Sequence, residues 1–208
     1  MALNTFTALK ASIADFLNRD DLTAVIPDFI TLAEAQINRD VRHWNMEARS
    51  SGQQSVGDEY MQYPADWLET IRLHLTGTGT SVVNLISRDA MADKRQGDED
   101  TLGTPMYYTH ADGQFQLYPT PSVDTDFELL YYQKIPSLSS NSDNWLLLDS
   151  PDVYLYGALL HSAPYLAEDE RVAIWAQMYS ASVARLNEAS ESARYSGSGL
   201  KLKIRGLG

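Results

Sequence analysis

The chain has 208 residues, no cysteine, 16 basic and 28 acidic side chains, and a formal net charge of −12. An apolar content of 44% with 21% charged residues is ordinary for a globular protein with room for a core. The absence of thiols excludes disulfide scaffolds, cysteine zinc sites and thiol catalysis, and no apolar run reaches the roughly 20 residues that span a bilayer. Met1 to Lys10 lacks the basic segment and apolar core of a signal peptide. An acidic excess also argues against a sequence-reading nucleic-acid binder, which needs a basic face. It is compatible with nucleic acid passing nearby, because an acidic wall repels phosphate.

Glycine and proline separate two textures. Seven of twelve glycines and five of eight prolines fall between residues 48 and 144, whereas 1–47 and 145–195 together hold a single glycine, Gly157. Glycine is costly inside helices and useful in turns, so the outer segments predict helices and the middle predicts strands and loops.

In chain order, residues 2–18 carry Phe6, Leu9, Ile13 and Phe16 at helical spacing. Residues 27–46 carry Ile30, Ala33, Ile37, Val41 and Trp44, with Pro27 suited to a first helical turn. Thr70–Leu75 and Val82–Ile86 are strand candidates around the Gly77-Thr78-Gly79 turn. Arg88 to about Gln96 suits a short exposed helix. Tyr107–His110 and Gln114–Tyr118 flank Asp112-Gly113, a hairpin signal. Phe127, Leu129, Tyr131 and Ile135 alternate along a further strand, and 136–144 is a polar loop. Ser150-Pro151 opens a helix carrying Val153, Tyr156, Leu160 and Ala163, which Pro164 ends or kinks. Glu168-Asp169-Glu170 precedes a last helix with Val172, Trp175, Tyr179, Val183 and Leu186, running to about Arg194. Ile37, Val41, Trp44, Trp175, Tyr179 and Leu186 are expected to share one core.

The fold class that follows is α+β. A helical bundle of about four helices (1–47 and 145–195) is interrupted by an antiparallel β-sheet or sandwich insertion (48–144). An extended C-terminal arm (196–208) follows. In that arm, a Ser/Gly stretch leads into Leu200, Leu202 and Ile204 alternating with Lys201, Lys203 and Arg205. Period-two alternation gives a strand with one apolar and one basic face. Such an arm suits addition to another subunit's sheet or groove.

Signals for chemistry are sparse. His43, His74, His110 and His161 form no close metal-ligand cluster. No Gly-x-Ser-x-Gly elbow and no Gly-rich phosphate loop before a helix occurs. Gly97-Asp98-Glu99-Asp100 lacks the alternating ligands of a calcium loop. Glu59/Asp66 and Asp149/Asp152 are carboxylate pairs of the kind glycosidases use, yet such pairs are common in an acidic chain. The expectation is no catalytic residue, no metal and no cofactor. Tyr107-Tyr108 and Tyr131-Tyr132 place rings on both faces of the sheet, suiting either a neighbouring subunit or an internally covered sandwich.

The order of elements resembles the head-to-tail adaptor, or connector, proteins of tailed bacteriophages and related gene-transfer particles. The likeness rests on Phe29–Arg39, Tyr63-Pro64-Ala65-Asp66-Trp67-Leu68, Leu117-Tyr118-Pro119-Thr120-Pro121, Tyr131–Leu138, Trp145-Leu146-Leu147-Leu148 and Pro151–Leu160. The resemblance implies a non-enzymatic virion protein made in the host cytoplasm and sited in the neck between capsid and tail. It implies a ring, commonly of twelve copies, that binds the portal protein and a tail or nozzle protein. DNA passes through the ring without sequence-specific contact, and no membrane is involved. Leu200, Lys201, Leu202, Lys203, Ile204 and Arg205 would be the portal-binding arm. A tail-completion protein and a virion-associated hydrolase are the alternative readings.

Overall fold

Two units divide the chain in the computed structural model: Met1–Asn45 with Ile135–Gly208, and Met46–Lys134. The structure describes residues 3–19, 21–77, 81–96, 101–166 and 170–195. The expected C-terminal arm, 196–208, lies outside the described residues.

The first unit is helical. Its elements are α1 (Phe6–Leu17), α2 (Ile26–Asp40), α4 (Trp145–Asp149), α5 (Pro151–His161) and α6 (Arg171–Tyr195). The Thr5 hydroxyl caps α1 by accepting from the Ala8 amide at 3.2 Å, and Asn18 ends it in the left-handed region at φ 52°. The buried positions of α1 are Leu9, Ile13 and Leu17. Phe16, expected on that stripe, is 47% exposed, because Leu17 holds the inward position of the last turn.

Helix α2 begins with Pro27 and buries Ile26, Phe29, Ile30, Ala33 and Ile37. It ends at Asp40, earlier than the periodicity through Trp44 suggests. Val41 turns extended (φ −101°, ψ 133°), and the Arg42 guanidinium donates to the carbonyls of Asn38 and Val41 at 2.9 and 2.7 Å. Helix α6 takes over the next backbone groups. Asn187 Oδ1 accepts from the Arg42 amide at 3.0 Å while its Nδ2 donates to the Asp40 carbonyl at 3.0 Å. Ser190 Oγ accepts from the Trp44 amide at 3.0 Å. Trp44 is consequently outside the shared core, at 50% exposure, whereas Ile37, Val41, Trp175 and Tyr179 are buried and Leu186 is half-buried.

The loop after residue 134 is organised by α2. Glu34 accepts from the Leu138 amide and the Ser137 hydroxyl, at 2.7 and 2.6 Å, and Asn38 Oδ1 accepts from the Ile135 amide at 2.9 Å. Asn144 then opens α4, accepting from the Leu147 amide at 2.9 Å and donating to the Tyr154 hydroxyl at 2.7 Å. This short helix had no periodic signal of its own.

Helix α5 is the centre of the unit and packs on α1, α2, α4 and α6. Val153, Tyr154, Leu155, Gly157, Ala158 and Leu159 are all buried. Of the expected stripe of Val153, Tyr156, Leu160 and Ala163, only Val153 is buried; Tyr156 and Leu160 are half-buried and Ala163 lies past the helix end. A helix covered on nearly all sides has no single apolar face to read. Gly157 marks a close approach: a Cβ there would lie 3.3 Å from Ala33 Cβ and 3.3 Å from the Tyr179 ring.

The second unit carries a seven-stranded sheet of order β1-β9-β3-β4-β6-β7-β2. The strands are β1 (Glu47–Gln54), β2 (Tyr60–Gln62), β3 (Trp67–Thr76), β4 (Ser81–Leu85), β6 (Tyr107–Ala111), β7 (Gln114–Tyr118) and β9 (Thr125–Gln133). A two-stranded parallel pair joins β5 (Leu102–Gly103) and β8 (Thr120–Pro121). The sheet is not wholly antiparallel as expected, because β4 and β6 run parallel. Helix α3 (Arg88–Arg95) and β5 lie between them in sequence and supply the crossover that a parallel pair needs. Asp112 and Gly113 turn the β6–β7 hairpin with φ of 47° and 74°, the geometry of a two-residue primed turn. Met61, Leu73, Leu75, Val83, Tyr108, Phe115, Leu117, Leu129 and Tyr131 form the core.

Substitution at Gly157 tests the helical packing. Gly157→Val is expected to lower unfolding free energy by about 1–3 kcal/mol through overpacking, read by urea denaturation. Gly157→Ala should shift it less, since helix propensity returns roughly 1 kcal/mol. An unchanged midpoint for the valine variant would contradict the close approach.

Candidate interaction surfaces

Each of the four histidines has a structural partner. His43 is buried, stacks on Trp145 at 4.9 Å between centroids, and accepts from the Asn45 amide at 3.2 Å. Its burial pushes the imidazole below the usual value of 6.5, and the Arg194 charge adds to this against Asp149. His110 shares a 2.8 Å hydrogen bond with the Tyr63 hydroxyl amid Trp67, Tyr108 and Phe115. His161 shares one of 2.9 Å with Gln36 Oε1. Burial, with a nearby arginine, lowers both of these imidazoles too. His74 Nε2 lies 3.3 Å from Glu128.

The carboxylate pairs do not converge on a shared site. Glu59 pairs with Arg95 of α3 at 2.5 Å, whereas Asp66 accepts from the Tyr131 hydroxyl at 2.9 Å. Burial, and then that contact, push the Tyr131 phenol up to about 12. Asp152 accepts from the Ser182 hydroxyl at 2.5 Å, and Asp149 is the acid that faces His43. Among the described residues no group of three or more His, Asp or Glu could hold a metal ion, and no helix is long and apolar enough to cross a membrane. The Gly97–Asp100 cluster and the Leu200–Arg205 arm lie outside the described residues. The paired tyrosines split by face: Tyr108 and Tyr131 enter the sheet core, whereas Tyr107 is half-buried with the Lys94 ammonium 4.1 Å above its ring.

Two helix stretches of the first unit expose apolar side chains between charged ends. From Val172 to Ala184 the sequence has no Asp, Glu, Lys, Arg or His. Trp175, Tyr179, Ser182 and Val183 turn inward. The outward side bears Ala173, Ile174, Gln177, Met178 and Ala184, with Ile174 at 55% and Met178 at 45% exposure. Arg171, whose guanidinium donates to the Phe16 carbonyl at 3.0 Å, and Arg185 bound this stretch. On α2 the outward side bears Thr31, Leu32 and Ala35 between Asp28 and Arg39, with Leu32 at 51% exposure. Periodicity finds the inward stripe of α6; the outward face is legible only as a gap in the charge pattern.

The family model for the SU10 adaptor protein matches residues 4–201. The chain belongs to the SU10 adaptor protein family, and as such is a bacteriophage structural adaptor. No curated protein matches it.

The buried His43 and the half-buried His110 and His161 set an acid limit on stability. Their folded values lie below 6.5, so the unfolded chain takes up protons first as pH falls. Stability is then complete above pH 6.5 and declines below it, toward the folded values. The urea midpoint is expected to be lower at pH 5.5 than at pH 7.5 (about one unit either side of the imidazole value). The drop should be smaller in His161→Gln. An equal midpoint at the two pH values would refute the burial assignment.

Proposed function

We propose that this adaptor forms the ring joining the portal at the capsid vertex to the tail, with the DNA channel running through it. The observation that carries this reading is the family match over residues 4–201, which spans both units. The charge supports it: at −12 per copy, an assembled ring repels phosphate and lets DNA move without adhering.

In this reading the arm makes the portal contact. Leu200, Leu202 and Ile204 fill pockets, and the backbone between them pairs with a portal strand or lies in a groove. Lys201, Lys203 and Arg205 meet acidic portal groups or DNA phosphate, giving a salt-dependent share of affinity. Ser196 to Gly199 gives the reach. The neck of the virion is then its location, and the tail or nozzle protein its second partner.

A chain ending at Tyr195 tests the arm. It is expected to keep the helical circular dichroism and urea midpoint of the full chain yet fail to attach to portal-containing capsids. Attachment equal to the full chain would remove the arm from the interface.

A further inference from the structure

We propose that the ring is closed by a helix seam in which the outward face of α6 in one copy packs on the outward face of α2 in the next. This rests on the ring reading above and names the surfaces that make it.

Charge identifies the occupant. Copies carrying −12 each repel one another wherever acidic surfaces meet. The outward stretches 173–184 of α6 and 31–35 of α2 let two copies approach without burying unpaired acids, with Asp28 of α2 able to face Arg171 or Arg185 of α6 at the rim. Ile174 and Met178 sit one turn apart on α6, flanked by Ala173 and Ala184, whose small side chains admit a neighbouring helix. Leu32, beside Ala35 and Thr31, offers the matching apolar ridge on α2. Glu34, on the same helix, is turned away and held by Leu138 and Ser137.

Geometry makes the contact heterologous. At Gly157, Ala33 of α2 and Tyr179 of α6 meet α5 at the same point. The three helices surround a shared contact, so their outward faces point in different directions. A patch that pairs with a different patch propagates from copy to copy, as a ring requires; a patch that pairs with itself stops at two. Size explains why the seam needs a template. Residues 172–184 of α6 span about 20 Å at 1.5 Å per residue. One such strip falls well short of the roughly 800 Å² per partner of a stable interface. Copies held side by side on a portal meet this shortfall by effective concentration.

The chain has no cysteine, so engineered thiols report cleanly. The test is a Leu32→Cys, Met178→Cys double variant bound to portal-containing capsids, oxidised, and run on a non-reducing gel. A ladder of covalent oligomers extending past the dimer is expected from the double variant, and monomer from either single variant. Dimers from Met178→Cys alone would show that α6 pairs with itself and overturn the seam. Monomer from the double variant, with normal attachment, would overturn it while leaving the ring reading intact. Failure of the unaltered chain to attach to portals would overturn both. A second variant, Met178→Glu, is expected to cut the copies retained per portal about tenfold by placing a carboxylate in the seam, with circular dichroism unchanged. Full retention of that variant would also count against the seam.

Discussion

The close approach of α2, α5 and α6 at Gly157 is the constraint on which the helical unit depends. Helix α5 is too apolar to stand at a surface, with Val153, Tyr154, Leu155, Ala158 and Leu159 buried around it. Its cover comes from α1 and α2 before the β unit and from α4 and α6 after it. Neither stretch of sequence builds this unit alone. Closing a long chain segment costs entropy that rises only slowly with length. An inserted unit with a core of its own, Met61 to Tyr131, is therefore tolerated between the two halves.

Polar side chains of one helix finish the backbone of the next. Asn187 and Ser190 of α6 satisfy the chain just after α2, and Tyr179 donates to Asp40 at 2.9 Å. Burial and that acid hold the Tyr179 phenol above its ordinary value of 10. Glu34 and Asn38 do the same for the loop after residue 134. These contacts fix where helices end, and they leave Leu32 of α2 and Ile174 and Met178 of α6 exposed.

The helices and the Asp112-Gly113 hairpin were legible because their signals are local: period, cap residues and turn chemistry. What was not legible depends on partners. Strand β1, Glu-Ala-Arg-Ser-Ser-Gly-Gln-Gln, has no apolar alternation and is a strand because β9 pairs with it along its length. The end of α2 at Asp40 is set by side chains 145 or more residues away. The exposure of Trp44 follows from that ending. The parallel β4–β6 pair is a consequence of α3 crossing between them, which no local pattern encodes. The arm's alternation at 200–205 is plain in the sequence, and the charge gap at 172–184 equally so.

The proposed ring is tested most directly by the assembly state of the chain with and without the portal. Native mass spectrometry of the free chain, the portal and their mixture in low salt reads it. A free mass of 23.2 kDa, with multiple copies appearing on the portal, is the expected result. A stable ring of the free chain at micromolar concentration, or a portal that stays bare, would contradict it.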